Sequence, residues 1–421
     1  MYSLWKKKPI HTVGQSELCV VCKGARLLCG KPSCPLMVRA YSLLRATSFI
    51  KGSTIEGCSP PSVFVGRIGY PKVYFGPLVP PVTENTAIFD FPEVWFGKPF
   101  EEIVGFRSLL VRGKYLVHVR KFEEARAVTE AVRGLAFSSK DTYAELHLKK
   151  EPRGFLTLSP EAAPYGPSAI MQSLKVNNTS WDHRIERAYY DEDLKAVPAV
   201  CELYQNGVPV SKIQRAFSIG AFGLKDNRCL VPTRWSITAI DDMVSKSLLK
   251  SIRRAPTINE YRVYKSDYLD NKFGVLMLPD VWSFEVLESW SHGSLWNPYA
   301  YAVLSGDRES YSGRTTYAGN VGGAYYAARL GVCERLHREG RQAATVVFRE
   351  IQPGYIIPLG VWQIRENVRN AMRSEPAKFG SLEQALQYAT SGFKTPLPQW
   401  LKASQIVRQS KIQKKLLSFL K

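Results

Sequence analysis

No stretch of the 421 residues approaches the roughly 20 uninterrupted apolar residues that a bilayer-spanning helix needs, so no such helix is expected. The opening residues, Met1-Tyr-Ser-Leu-Trp-Lys-Lys-Lys-Pro9, are positively charged, but a polar run follows where a secretory signal would carry its apolar segment. The chain is therefore expected to be made and kept inside the cell. Internal repeats and long low-complexity segments are absent, and 45% hydrophobic with 22% charged residues argues against wholesale disorder, collagen and coiled coil. Neither a Ser-His-Asp signature nor a Walker A phosphate loop is present. Acid is scarce beside base: 37 Asp and Glu face 57 Lys and Arg, a formal +20. Such an excess draws a chain to polyanions, nucleic acid above all.

Eight cysteines are present and unevenly placed. Cys58, Cys201, Cys229 and Cys333 are scattered and read as small buried hydrophobes, whereas Cys19, Cys22, Cys29 and Cys34 crowd into sixteen residues. The spacing Cys-x2-Cys-x6-Cys-x4-Cys offers four thiolates to a tetrahedral zinc ion, with Gly24, Gly30, Lys31 and Pro32 supplying tight turns. Nearby Lys and Arg favour the thiolate form. Four cysteines leave no open coordination position, so the zinc would be structural, folding a module too small to bury its own core. A free or redox-active cysteine set and an iron–sulfur cluster are the alternatives.

Beyond this module, Pro and Gly punctuate short apolar runs from Ser59 to Pro81, as strands joined by tight turns would be. Further strands are expected at Ser108–Val111, Tyr115–Arg120, Tyr143–Lys149, Tyr261–Tyr264 and Gly274–Leu278, with a helix from Glu123 to Arg133. Another helix follows Pro232, where Ile237, Ile240, Val244 and Leu248 recur on one face. Helices are expected again at Tyr325–Arg338, Trp362–Met372 and Leu382–Ala389, the last with a capping box from Ser381 to Gln384. The pattern implies a mixed α/β (α+β) fold in four segments. They are a zinc module at 1–50, a large β-rich α/β domain at 51–300, a smaller, mostly helical domain at 301–395, and a linker with a flexible C-terminal tail at 396–421.

That tail ends in Gln413-Lys-Lys-Leu416-Leu-Ser-Phe419-Leu420-Lys421. Gln-x-x-aliphatic-x-x-aromatic-bulky is the pattern of a peptide that docks on a sliding clamp. One helical turn gathers Leu416, Phe419 and Leu420 into an apolar plug, while Gln413 reaches a separate polar pocket. The alternative is an amphipathic helix folded back on the protein.

Taken with Val65-Gly-Arg-Ile-Gly-Tyr-Pro71, Gly166-Pro-Ser-Ala169, Val231-Pro-Thr-Arg-Trp-Ser-Ile-Thr238, Tyr311-Ser-Gly-Arg314 and Gly360-Val-Trp-Gln-Ile-Arg-Glu366, these features bring a family into view. The chain resembles the archaeal Nre proteins, DNA-repair factors that bind the sliding clamp PCNA. The resemblance covers nearly the whole chain. It implies a long N-terminal and a shorter C-terminal domain and a role in the response to DNA damage. The implied partners are PCNA, DNA and other repair proteins, with no membrane, and the implied place is the cytoplasm at the nucleoid. Leu420 departs from the pattern, since an aromatic is common there.

Three constellations could carry chemistry. Arg234 near a helix start could hold a phosphate, and Asp241 with Asp242 could hold Mg²⁺ for phosphodiester cleavage; a helical ion pair of Asp242 with Lys246 is the plainer reading. Glu285, Glu288 and His292 offer acids and a base within a short run, enough for a metal site or an acid–base pair. The loop Gly319-Asn-Val-Gly-Gly323 could cradle phosphate or be a structural turn, while Arg308 and Arg314 could touch a nucleic-acid backbone beside Tyr311 and Tyr317. The leading expectation is a DNA-repair factor recruited by PCNA with its own DNA affinity. A metal-dependent nuclease, for which alone Mg²⁺ would be needed, and a zinc-containing RNA-binding protein are the alternatives.

Overall fold

The computed structural model describes residues 19, 21–154, 163–294, 297 and 299–412. The chain divides into two mixed α/β units, each built on a six-stranded sheet. One unit is Leu36–Val244; the other comprises the described residues of Ser245–Lys421 and of the segment ending at Pro35.

The first sheet contains β1 (Thr54–Ser59), β2 (Val63–Val65), β3 (Lys72–Val79), β4 (Val111–His118), β5 (Thr142–Leu148) and β6 (Ser168–Val176), in the order β1-β5-β6-β4-β3-β2. Only β4 and β6 run parallel. Strand β5 shows why the sheet has two unlike faces. Thr142, Ala144, Leu146 and Leu148 are buried, and Tyr143, Glu145 and His147 between them are half-buried, the period-2 signature of a sheet packed on one side. The packed side meets the helix formed by Arg126–Phe137, whose Leu135 joins Ile55, Val79, Val111, Leu146 and Met171 in one cluster. Helices Pro35–Ser48 (α1), Phe100–Leu109 (α2), Arg126–Phe137 (α3), His183–Tyr190 (α4), Ala196–Gln205 (α5) and Val210–Ser218 (α6) belong to this unit. Thr233–Ile252 (α7) begins in it.

The second sheet has the order β10-β9-β11-β8-β7-β12. Its strands are β7 (Tyr261–Tyr268), β8 (Asn271–Leu278), β9 (Ser283–Trp290), β10 (Val303–Glu309), β11 (Ala344–Ile351) and β12 (Ala377–Phe379). Every residue of β11 is buried, as befits a central strand covered on both faces. On one face Leu276, Leu287, Val346 and Phe348 pack against α10 (Leu382–Ala389), α11 (Leu397–Ala403) and α12 (Gln405–Ile412). On the other, Phe284 meets Tyr325 of α8 (Gly323–Glu339), and Arg349 reaches Gln363 of α9 (Trp362–Arg373).

The helices expected at Tyr325–Arg338, Trp362–Met372 and Leu382–Ala389 are α8, α9 and α10. Ser381 Oγ accepts the Gln384 N–H at 3.3 Å, the N-cap half of the expected capping box. Three expectations need correction. The strand placed at Ser108–Val111 is the end of α2 followed by the start of β4. The segment 301–395, expected as a separate, mostly helical domain, carries β10, β11 and β12, which complete the sheet begun by β7–β9. The linker and flexible tail placed from residue 396 is folded through Ile412: Trp400, Ile406 and Val407 are core residues. Pro396 and Pro398, which suggested a linker, sit at the N-terminal boundary and first turn of α11, where a missing N–H costs nothing.

Candidate nucleic-acid interface

Two of the sequence motifs, far apart in the chain, meet on the first unit. The Val65 N–H donates to Thr233 Oγ1 at 2.9 Å across 168 residues, joining the β2–β3 loop to the first turn of α7. Thr233 Oγ1 also lies 3.3 Å from Ser218 Oγ. Above this joint the Tyr70 and Trp235 rings face each other with centroids 5.1 Å apart, tilted by 55°. Tyr70 is 51% exposed and Trp235 46% exposed, and Ile68 at the loop tip is 88% exposed. Arg67, Lys72 and Arg234 are exposed beside them.

The loop is held at both ends. The Gly66 N–H donates to Tyr74 O at 2.7 Å, the Lys72 N–H to Gly69 O at 3.0 Å, and the Val119 N–H to Pro71 O at 3.0 Å. Gly69 has φ +84°, and a Cβ there would lie 2.8 Å from Lys72 O, so only glycine closes this turn without strain. Along the outward face of the sheet the surface continues through Tyr74, with Lys114 5.7 Å over its ring, and exposed Leu116. Deeper on that face, Arg112 lies between the Phe64 and Tyr165 rings, 5.3 and 4.2 Å from their centroids. Burial, with repulsion from Arg107 added, pulls its guanidinium down to about 10, still charged at neutral pH. Residues 63–75, 111–121 and 228–238 contain no Asp or Glu. A cationic surface with protruding aromatic and apolar groups has the chemistry to neutralise phosphates and stack on bases.

Arg234 alone among the catalytic candidates lies on this surface. Asp241, about two helical turns further along α7, is wholly buried and receives a hydrogen bond from Gln214 Nε2 at 3.2 Å; Asp242 is half-buried. In the other unit, Glu285 and Glu288 are three residues apart on β9 and so point to opposite faces of the sheet. Glu285 accepts from Ser404 Oγ and from the Gln405 and Ile406 N–H groups at 2.6, 2.9 and 3.2 Å, capping α12. Glu288 pairs with Arg349 at 2.5 Å, and Arg349 also donates to Asn271. His292 is exposed, its Nδ1 donating to Tyr299 O at 2.7 Å.

Arg314 is committed internally, donating to Arg308 O, Thr316 O and Tyr317 O and pairing with Asp307 at 3.2 Å. Arg308 is exposed, and Tyr311 and Tyr317 are 46% and 61% exposed. Asp307 Oδ2 also accepts the Asn320 and Val321 N–H groups at 2.8 and 2.9 Å, so a carboxylate of the chain itself occupies these amides of the Gly319–Gly323 loop. The loop is the structural turn, not a phosphate cradle.

At the N-terminal end, Cys22 is buried and Cys19 and Cys29 are exposed, with Cys34 between these extremes. Among the described residues no three His, Cys, Asp or Glu side chains gather as a ligand set. The donor chemistry nevertheless suits a thiolate. The Leu28 N–H above all, opposed by desolvation and reinforced by those of Gly24, Arg26 and Leu27, holds the Cys22 thiol below its ordinary value. Lys23, Gly24, Leu27 and Gly30 have φ of +50°, +76°, +47° and +71°, wrapping the backbone around that sulfur. Gln413, Leu416, Phe419 and Leu420 lie outside the described residues.

The residues that sequence reasoning passed over are Arg67, Ile68, Tyr70, Lys72 and Trp235. Their signal was present in an apolar residue and aromatics set among Arg and Gly in acid-free segments, but their exposure is a property of the fold.

The architecture is that of a basic protein of two mixed α/β units, one bearing an exposed cationic, aromatic surface. Residues 28–297 match the archaeal Nre N-terminal family and residues 309–419 the archaeal Nre C-terminal family. The DNA repair protein NreB of Archaeoglobus fulgidus is 38% identical over 403 residues, 96% of this chain and all of that protein. NreA of the same organism, also a DNA repair protein, is 36% identical over 376 residues, 89% of this chain and 93% of its own. The DNA repair protein NreA of Haloferax volcanii is 35% identical over 352 residues, covering 81% and 83% of the two chains. The chain belongs to the archaeal Nre family of DNA-repair proteins. No solved structure matches it. No helix among the described residues is long and apolar enough to cross a membrane.

Proposed function

We propose that the protein acts in DNA repair by binding DNA through the surface around Arg67, Tyr70, Lys72, Arg234 and Trp235. In this reading PCNA recruits it through Gln413, Leu416, Phe419 and Leu420, and one structural zinc ion sits on Cys19, Cys22, Cys29 and Cys34. The observation that carries the DNA reading is the exposed cationic and aromatic surface formed where the β2–β3 loop meets α7, built from segments that contain no Asp or Glu. The net charge of +20 and relatives named as DNA repair proteins support it. Supporting the zinc reading are the cysteine spacing and the convergence of backbone N–H groups on Cys22; supporting the clamp reading is the terminal motif.

Replacement of both Arg67 and Lys72 with Glu tests the DNA reading. Both side chains are exposed, so folding should be preserved. Each lost phosphate contact reduces the slope of log K against log salt by about one, so the double variant should flatten it by about two and weaken binding at least about tenfold near 0.1 M salt. Fluorescence anisotropy across a salt series measures both. Unchanged affinity and slope would refute the assignment.

A further inference from the structure

We infer that Ile68, with the Tyr70–Trp235 pair behind it, is a wedge for opened base stacks, making unpaired or locally distorted DNA the preferred ligand over intact duplex. This rests on the DNA-contact reading above and adds a substrate class to it. Three observations carry it. First, Ile68 is 88% exposed, yet it stands on a loop whose ends are hydrogen-bonded and whose turn requires Gly69. An apolar side chain presented so rigidly loses little freedom on insertion. Second, Tyr70 and Trp235 present partly open rings 5.1 Å apart at the base of the same loop, where a displaced base could stack. Third, Arg67 and Arg234 flank the apolar tip and the aromatic pair with exposed cations, and no acid lies in either segment.

Phosphates line both duplex and single strand, more densely on the duplex, so the cations alone give no preference for the single strand. Ring faces and an apolar tip are different. Intact duplex hides its base faces in the stack, and an apolar wedge reaches them only at the cost of unstacking a step, a cost already met in unpaired or distorted DNA. Charge complementarity commits the surface to nucleic acid, because a hydrophobic protein partner gains nothing from exposed Arg67 and Lys72 in a segment without Asp or Glu, whereas a phosphate backbone does.

The test compares a single-stranded 20-mer, the same sequence as duplex, and a duplex with an internal unpaired bubble, by anisotropy at one salt concentration. The full-length protein should prefer the single strand and the bubble by about tenfold or more, the scale of one stacked base. Ile68→Ala and, separately, Ile68→Ala with Trp235→Ala should reduce that preference to about twofold, the loss falling on the single strand and the bubble more than on the duplex. 2-Aminopurine in the bubble should brighten on binding to the wild type and much less with the variants. No preference in the wild type, or a preference untouched by both variants, would overturn the wedge. If the Arg67→Glu, Lys72→Glu protein weakens on all three DNAs while the wedge variants keep their preference, the contact surface stands and only the wedge fails. If neither set changes any DNA affinity, the DNA reading itself fails and the surface serves a protein partner.

Discussion

Changing Leu416 and Phe419 together to alanine should lower affinity for PCNA at least about a hundredfold, with no change in the circular dichroism spectrum or in DNA binding. Buried aromatic and aliphatic anchors in such short docking segments commonly contribute roughly 2 kcal/mol or more each, and a tenfold change corresponds to about 1.4 kcal/mol. The fold sharpens this expectation. The chain before the motif is not a free linker but helix α12, fixed by the Glu285 cap and by burial of Ile406 and Val407. Lys411, near the end of that helix, lies 3.6 Å from Glu383. Gln413 is the next residue after α12 in the sequence. Lys414, Lys415 and Lys421 would steer encounter with an acidic clamp surface, raising the on-rate more than the affinity. Calorimetric titration of PCNA with the two full-length proteins measures the difference; equal affinities would mean that the tail is not the docking segment.

The zinc reading predicts the second large effect. Elemental analysis of the purified protein should find about one zinc per chain, falling close to zero in Cys22→Ser. Structural zinc in small modules contributes on the order of 10 kcal/mol to local folding. The variant should therefore expose Lys23, Arg26 and Lys31 to trypsin while the two six-stranded sheets stay resistant. Lys31 now donates to Gly293 O at 3.0 Å, a contact that would be lost. Serine at Cys58, Cys201, Cys229 or Cys333 should leave metal content unchanged. A protein without zinc, or one with the colour of an iron–sulfur cluster, would contradict the assignment.

How far the sequence was legible varies with the scale of the physics involved. Local periodicity exposed α7, because the three- and four-residue spacing of Ile237, Ile240, Val244 and Leu248 is a property of the segment itself. It likewise placed strand β5, where alternation is strict. Strand β11 escaped notice because Arg349 and Glu350 interrupt an apolar run. Each is satisfied by distant partners, Arg349 by Glu288 and Asn271, Glu350 by the Lys394 and Thr395 N–H groups. Helices α11 and α12 were read as linker because two prolines and a run of basic residues hide the burial of Trp400 and Val407 against Phe348 and its neighbours. The interface was the least legible feature. Its two motifs stand out in the sequence, but only folding brings Val65 to Thr233 and leaves Ile68 and Trp235 facing outward.

Ultraviolet crosslinking of the protein to a single-stranded oligonucleotide, with the attached peptides identified by mass spectrometry, tests the proposed DNA contact most directly. Crosslinks should concentrate on Tyr70 and Trp235, within 63–75 and 228–238, and should fade in the Arg67→Glu, Lys72→Glu protein. Crosslinks confined to the cysteine segment, to the second unit or to the C-terminal tail would contradict the assignment of this surface as the DNA contact.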